Sequence, residues 1–142
     1  VICSQKTYSS LPTAAGFFCR ELDLVQVKGK SEAITIYEVI SCKDPTCFAT
    51  GGFDKQEPDG PDDLSTKSIR VRQVQLYQKA LRAYQKARFP DARKHLETYL
   101  EELPDDKAAA LLLERTRNHE APESLSAEEE RAWTGVFALN EK

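Results

Sequence analysis

Residues Arg20 to Ile40, RELDLVQVKGKSEAITIYEVI, decide how this chain folds. Two β-prone stretches flank the basic corner Lys28-Gly29-Lys30-Ser31. Gly29 can take the positive φ that a tight turn needs, and Ile34 to Ile40 is β-branched enough to return as a partner strand. The first stretch alternates imperfectly. Leu22 and Leu24 share one parity, whereas Val25 and Val27 share the other, so either both faces are partly covered or a bulge intervenes.

Upstream, Val1-Ile2-Cys3 is a short strand-like run, and Ser4 is a good N-cap for about two helical turns that end at Pro12 and Gly16. A strand, a short helix and a hairpin bury too little surface to be stable alone. Residues 1–42 are therefore expected to be the closing piece of a larger unit, in a truncated chain.

Downstream the composition changes. Residues 43–67 hold six Gly or Pro and six Asp or Glu among 25, and their main apolar side chains are Phe48 and Phe53. Such a segment reads as an acidic linker. Helical periodicity begins near Ser68. Val74, Tyr77, Leu81 and Tyr84 fall on one helix face, with Ala80, Ala83 and Ala87 leaving room for a second helix. Phe89-Pro90-Asp91 starts that helix, whose stripe is Ala92, Leu96, Tyr99, Leu100 and Leu103. Pro104 stops it, and Asp105 or Asp106 can cap a third helix through Ala108, Leu111, Leu112 and Arg115. The helical region is read as 68–120. Over 121–142, Ser126 with Glu129 forms a capping-box pattern for a short acidic helix. The tail with Trp133, Val136, Phe137 and Leu139 reads as docked. The fold class expected is α+β.

Composition excludes several classes. The chain has 142 residues, 40% hydrophobic and 30% charged, with net charge −3. That balance fits a globular protein and gives no general attraction to nucleic acid or anionic membranes. No apolar run approaches the roughly 20 residues needed to span a bilayer. Cys3, Cys19, Cys42 and Cys47 lack the close spacing of a zinc knuckle, and neither His95 nor His119 lies near them in sequence; free thiols in a reducing compartment are the expectation.

The corner also carries a resemblance. Arg20-Glu21-Leu22-Asp23-Leu24-Val25-Gln26-Val27-Lys28-Gly29-Lys30 with Ile36-Tyr37-Glu38-Val39 closely resembles the C-terminal end of class III nucleotide cyclase catalytic domains. Val1-Ile2-Cys3-Ser4 and Thr7-Tyr8 are similar to the strand and short helix just before it. The resemblance covers about residues 1–42. It implies an enzyme that converts ATP or GTP to a 3′,5′-cyclic monophosphate and pyrophosphate, using two Mg or Mn ions at a homodimer interface. It implies that Lys28 reaches the triphosphate of a substrate held mainly by the partner subunit, with Lys30 the lesser candidate. The family's metal-binding aspartates, purine-selecting residues and transition-state asparagine and arginine lie upstream of the matched part. Asp23, a single acid within a strand, is not expected to bind metal, because two-metal chemistry needs converging carboxylates. The piece alone is expected to be inactive, to need no cofactor of its own, and to work with the rest of the catalytic domain in the cytoplasm. Any membrane anchor would lie upstream.

Residues 77–104 resemble one tetratricopeptide repeat, with Ala80, Ala92 and Pro104 twelve residues apart. Leu76 stands where the repeat's tryptophan usually does, and Tyr99 where a small residue is usual. About three repeats make an independent solenoid, and one is visible. Trp133-Thr134-Gly135-Val136-Phe137 with Glu141-Lys142 looks like the ending of bacterial cyclases that carry such helices. The helices 68–118 then either bind a protein partner or buttress the catalytic domain.

Overall fold

In the computed structural model, residues 1–11, 16–41, 64–120 and 133–139 are described. The expected acidic helix from Ser126, most of the expected linker, Cys42 and Cys47 lie outside these residues. The fold is α+β. Strand β1 (Ile2–Ser4), helix α1 (Gln5–Ser9), β2 (Phe18–Val27) and β3 (Ile34–Ser41) are followed by α2 (Leu64–Gln85), α3 (Phe89–Glu102), α4 (Lys107–Glu120) and β4 (Phe137–Leu139).

The strands form one mixed sheet in the order β1-β3-β2-β4. β1 and β2 both run antiparallel to β3, whereas β4 lies parallel to β2, with Val25 opposite Phe137. The phase change in β2 is a bulge. Glu21 pairs with Tyr37 and Asp23 with Ile36, so Leu22 is the extra residue and the adjacent Leu22 and Asp23 are both buried. Ser4 caps α1 as its sequence predicts, its hydroxyl accepting the Thr7 amide at 3.3 Å.

Helix α2 begins at Leu64, four residues inside the stretch read as linker. Its predicted stripe Val74, Tyr77, Leu81 and Tyr84 is buried, as are Ala92, Leu96 and Tyr99 of α3. The stripe of α4 differs from the expectation. Leu111 is 50% exposed, and the buried positions are Ala109, Leu112, Leu113 and Thr116. The run Ala108 to Leu113 is apolar on all sides, so composition did not mark one face; the i, i+3, i+4, i+7 spacing from Ala109 does.

One core joins sheet and helices. Leu22 belongs to the same buried cluster as Tyr77, Leu81, Leu96 and Leu112, with Ile36 and Trp133 packed against it. The apolar stripe of α2 therefore faces β2, and the hairpin finds in the helices the surface it lacks on its own.

Candidate functional site

The corner is a four-residue turn. The Lys30 amide donates to the Val27 carbonyl at 3.0 Å, and Gly29 at the third position has φ 82°. A positive φ there is what a type II turn requires and what glycine permits at no steric cost. The Gln26 side chain holds the return from one side, donating to the Lys30 and Ser31 carbonyls at 3.2 and 3.3 Å. Lys28 is exposed at the tip. Lys30 lines a shallow recess of about 280 Å³ with Val27, Ser31, Glu32 and Ile34, and Lys28 does not. The two lysines thus differ in setting.

Behind the corner, β2 is held by charges that its sequence context does not announce. Arg20 is 5% exposed. Its Nε donates to Glu38 Oε2 at 2.7 Å, and its Nη1 lies 2.7 Å from Asp106 Oδ2 and 2.5 Å from Tyr99 Oη, to which it donates. Tyr99 in turn donates to Asp106 Oδ2 at 2.8 Å, and the guanidinium sits 4.5 Å from the Tyr77 ring centre. Burial acts to lower the Arg20 pKa, but the Asp106 hydrogen bond and the surrounding charges outweigh it and raise it overall. Burial acts likewise to raise Asp106, and it is outweighed: the Arg20 hydrogen bond and the Ala109 amide hold the carboxyl below its usual range. Burial raises the hydroxyls of Tyr77 and Tyr99.

A second pair lies beyond the bulge. Arg115 Nη2 donates to Asp23 Oδ2 at 2.6 Å across 92 residues of chain, and Asp23 Oδ1 accepts the Leu24 amide at 2.9 Å. The Arg115 guanidinium lies 4.2 Å from the Phe137 ring centre. On the rim, Arg82 reaches Glu21 at 3.1 Å. The Tyr77 hydroxyl donates to the Leu22 carbonyl at 2.9 Å, which gives the bulge a partner from α2. Removing one member of a buried pair leaves a bare charge and costs about 3–5 kcal/mol.

The tail completes the arrangement. Trp133 Nε1 donates to the Tyr84 carbonyl at 3.1 Å, near the C-terminus of α2. Its ring meets Tyr84, Phe89 and His119 edge-on at 5.3, 5.3 and 4.8 Å. Gly135, with φ 66°, passes so close to α2 that an added Cβ would stand 2.8 Å from the Gln85 Cα.

Lys28 is singled out by the family resemblance alone, which does not reach the Arg20–Tyr99–Asp106 contact set by tertiary folding. One signal points toward that contact. Tyr99 departs from the small residue expected at its position, and its hydroxyl bridges Arg20 and Asp106 beside their direct contact. Arg115 belongs to the separate pair with Asp23, which meets one of its guanidinium nitrogens. Among the described residues, no donor set fits the two metal ions that the cyclase resemblance implies. Asp23 is committed to Arg115 and Leu24, and among the described residues no three His, Cys, Asp or Glu side chains converge. No known family, curated protein or solved structure matches this chain.

Proposed function

We propose that this chain is the C-terminal part of a class III nucleotide cyclase, and that its helices act as a buttress that aims the Lys28 corner. In this reading the whole enzyme is a cytoplasmic homodimer in signal transduction, making cyclic AMP or cyclic GMP and pyrophosphate. The observation that carries the reading is an exposed lysine on a glycine-set turn, at the end of a strand fixed from behind by Arg20 and Asp23. A lysine ammonium on such a corner offsets charge that builds on the departing pyrophosphate, and a preset position avoids reorganisation at that moment. Purine selection, metal binding and ring closure belong to residues upstream of those present.

The alternative reading makes the helices a module for protein interaction. Their apolar stripe weighs against it, because Tyr77, Leu81 and Tyr84 already pack with Leu22 in one core.

Two measurements test the proposal. The chain alone, given ATP or GTP with magnesium or manganese, is expected to release no cyclic nucleotide. In the whole enzyme, Lys28→Ala is expected to raise KM or lower kcat by about tenfold or more, the scale of one charge-assisted contact. Unchanged kinetics would remove Lys28 from the site.

A further inference from the structure

The stem of the Lys28 corner depends on the far end of the chain. The ladder between β2 and β3 stops at Val25 opposite Ile34. Beyond it, Gln26 and Val27 have ladder partners only on β4 among the described residues, at Ala138 and Leu139. The Gln26 side chain in turn holds the turn carbonyls of Lys30 and Ser31, so order at Gln26 is passed to the corner. Four residues ahead of Phe137, Trp133 sits among the rings of Tyr84, Phe89 and His119 and donates to the Tyr84 carbonyl. Between seat and strand, Gly135 passes against Gln85 with no room for a Cβ. Loss of the Trp133 seat therefore bears directly on β4. The docked tail also carries a cost. Phe137 lies over the Arg115 guanidinium at 4.2 Å, and Arg115 Nε and Nη1 are buried without a hydrogen-bond partner. Donors kept from water oppose docking, and lifting Phe137 returns water to them.

We propose that residues 133–139 are a latch on the Lys28 corner. Seated, the tail holds Gln26 and Val27 in the sheet and fixes the direction of the lysine. Lifted, it frees the stem while the core stays folded, because Leu22, Tyr77, Leu81, Leu96 and Leu112 form one cluster with Trp133 only packed against it. Trp133 is a positioning residue that acts on Lys28 through β4. Its seating favours the closed state and the unmet Arg115 donors oppose it, with three strand pairs between them. The latch is a property of this chain and stands whether or not the chain comes from a cyclase.

The test is backbone order by NMR relaxation on the whole chain. In Trp133→Ala the order parameters of Gln26, Val27 and Lys28 should fall from the rigid range near about 0.85 to below about 0.6, while Leu22, Leu81 and Leu96 stay rigid. Trp133→Phe keeps a ring in the seat and should retain most of that order. Truncation after Val136 leaves Trp133 in place and removes β4, so it should loosen the same three residues with Trp133 emission unchanged. Lys28→Ala should leave Gln26 and Val27 rigid. Should Trp133→Ala fail to fold, the truncated chain decides alone. Unchanged order at residues 26–28 in the truncated chain overturns the proposal. Loss of order spread equally over the core overturns it too, because that is general destabilisation and not the release of a latch.

Discussion

Asp106 holds Arg20 at 2.7 Å with one carboxylate oxygen and caps α4 with the other, which accepts the Ala109 amide at 3.0 Å. One side chain therefore begins a helix and ties that helix to a distant strand. The cap is local and the ion pair is not, so substitutions can separate the two roles.

Asp106→Asn keeps an oxygen for the Ala109 amide and removes the charge facing Arg20. A loss of about 2–4 kcal/mol is expected in urea unfolding, part of the guanidinium's charge remaining answered by Glu38. Asp106→Ala should cost about 1 kcal/mol more through the lost cap. Asp105→Ala should fall within about 0.5 kcal/mol of the parent, as an exposed site does. Similar losses at Asp105 and Asp106 would assign the cap wrongly. The lowered Asp106 pKa also fixes a sign. Its stabilisation is full above the unfolded value of about 3.9 and is lost as pH falls through the folded one, so the Asn variant should show a shallower acid limb.

Tyr99→Phe removes the hydroxyl that joins Arg20 and Asp106 and leaves their direct contact. The expected loss is about 1 kcal/mol, the net worth of a typical hydrogen bond. A loss beyond about 3 kcal/mol would mean the pair depends on the bridging hydroxyl for its geometry.

Gly29 and Gly135 both have positive φ, yet their surroundings differ. An added Cβ at Gly29 meets nothing within 4 Å, whereas at Gly135 it meets the Gln85 backbone at 2.8 Å. Gly29→Ala should cost only the conformational penalty, about 1–2 kcal/mol. Gly135→Ala should free the tail as well, with a red shift of Trp133 emission. Equal effects at the two glycines would contradict the close approach.

His119 gives the tail a pH response. Burial lowers its pKa below the ordinary value, with the Arg115 charge acting in the same direction. A lowered folded pKa favours neutral imidazole, so its stabilisation is present above the unfolded value of about 6.5 and is lost as pH falls through the folded one. Trp133, the sole tryptophan, packs 4.8 Å from the His119 ring. Its emission should shift as pH falls below about 6.5, ahead of global unfolding. His119→Phe should abolish that step, and an unchanged step in this variant would assign it to another group.

The corner, the α2 and α3 stripes and the Ser4 cap follow local rules that act within a few residues, and each is readable from spacing alone. The β2 bulge was readable as a conflict, since Leu22 and Val25 cannot share a parity; the pairing partner that resolves it was not. Arg20 shows the limit. In sequence it is a charge at the head of a strand, indistinguishable from a solvated one, and its burial depends on a tyrosine 79 residues away. The parallel pairing of β4 is likewise hidden, because three residues carry no period.

That parallel pairing governs the order in which the fold can be completed during synthesis. Phe137 must emerge from the ribosome before it can lie beside Val25, so until then the Val25–Val27 end of β2 lacks its parallel partner. Contacts of such sequence separation form slowly, so this pairing is among the last the chain can make.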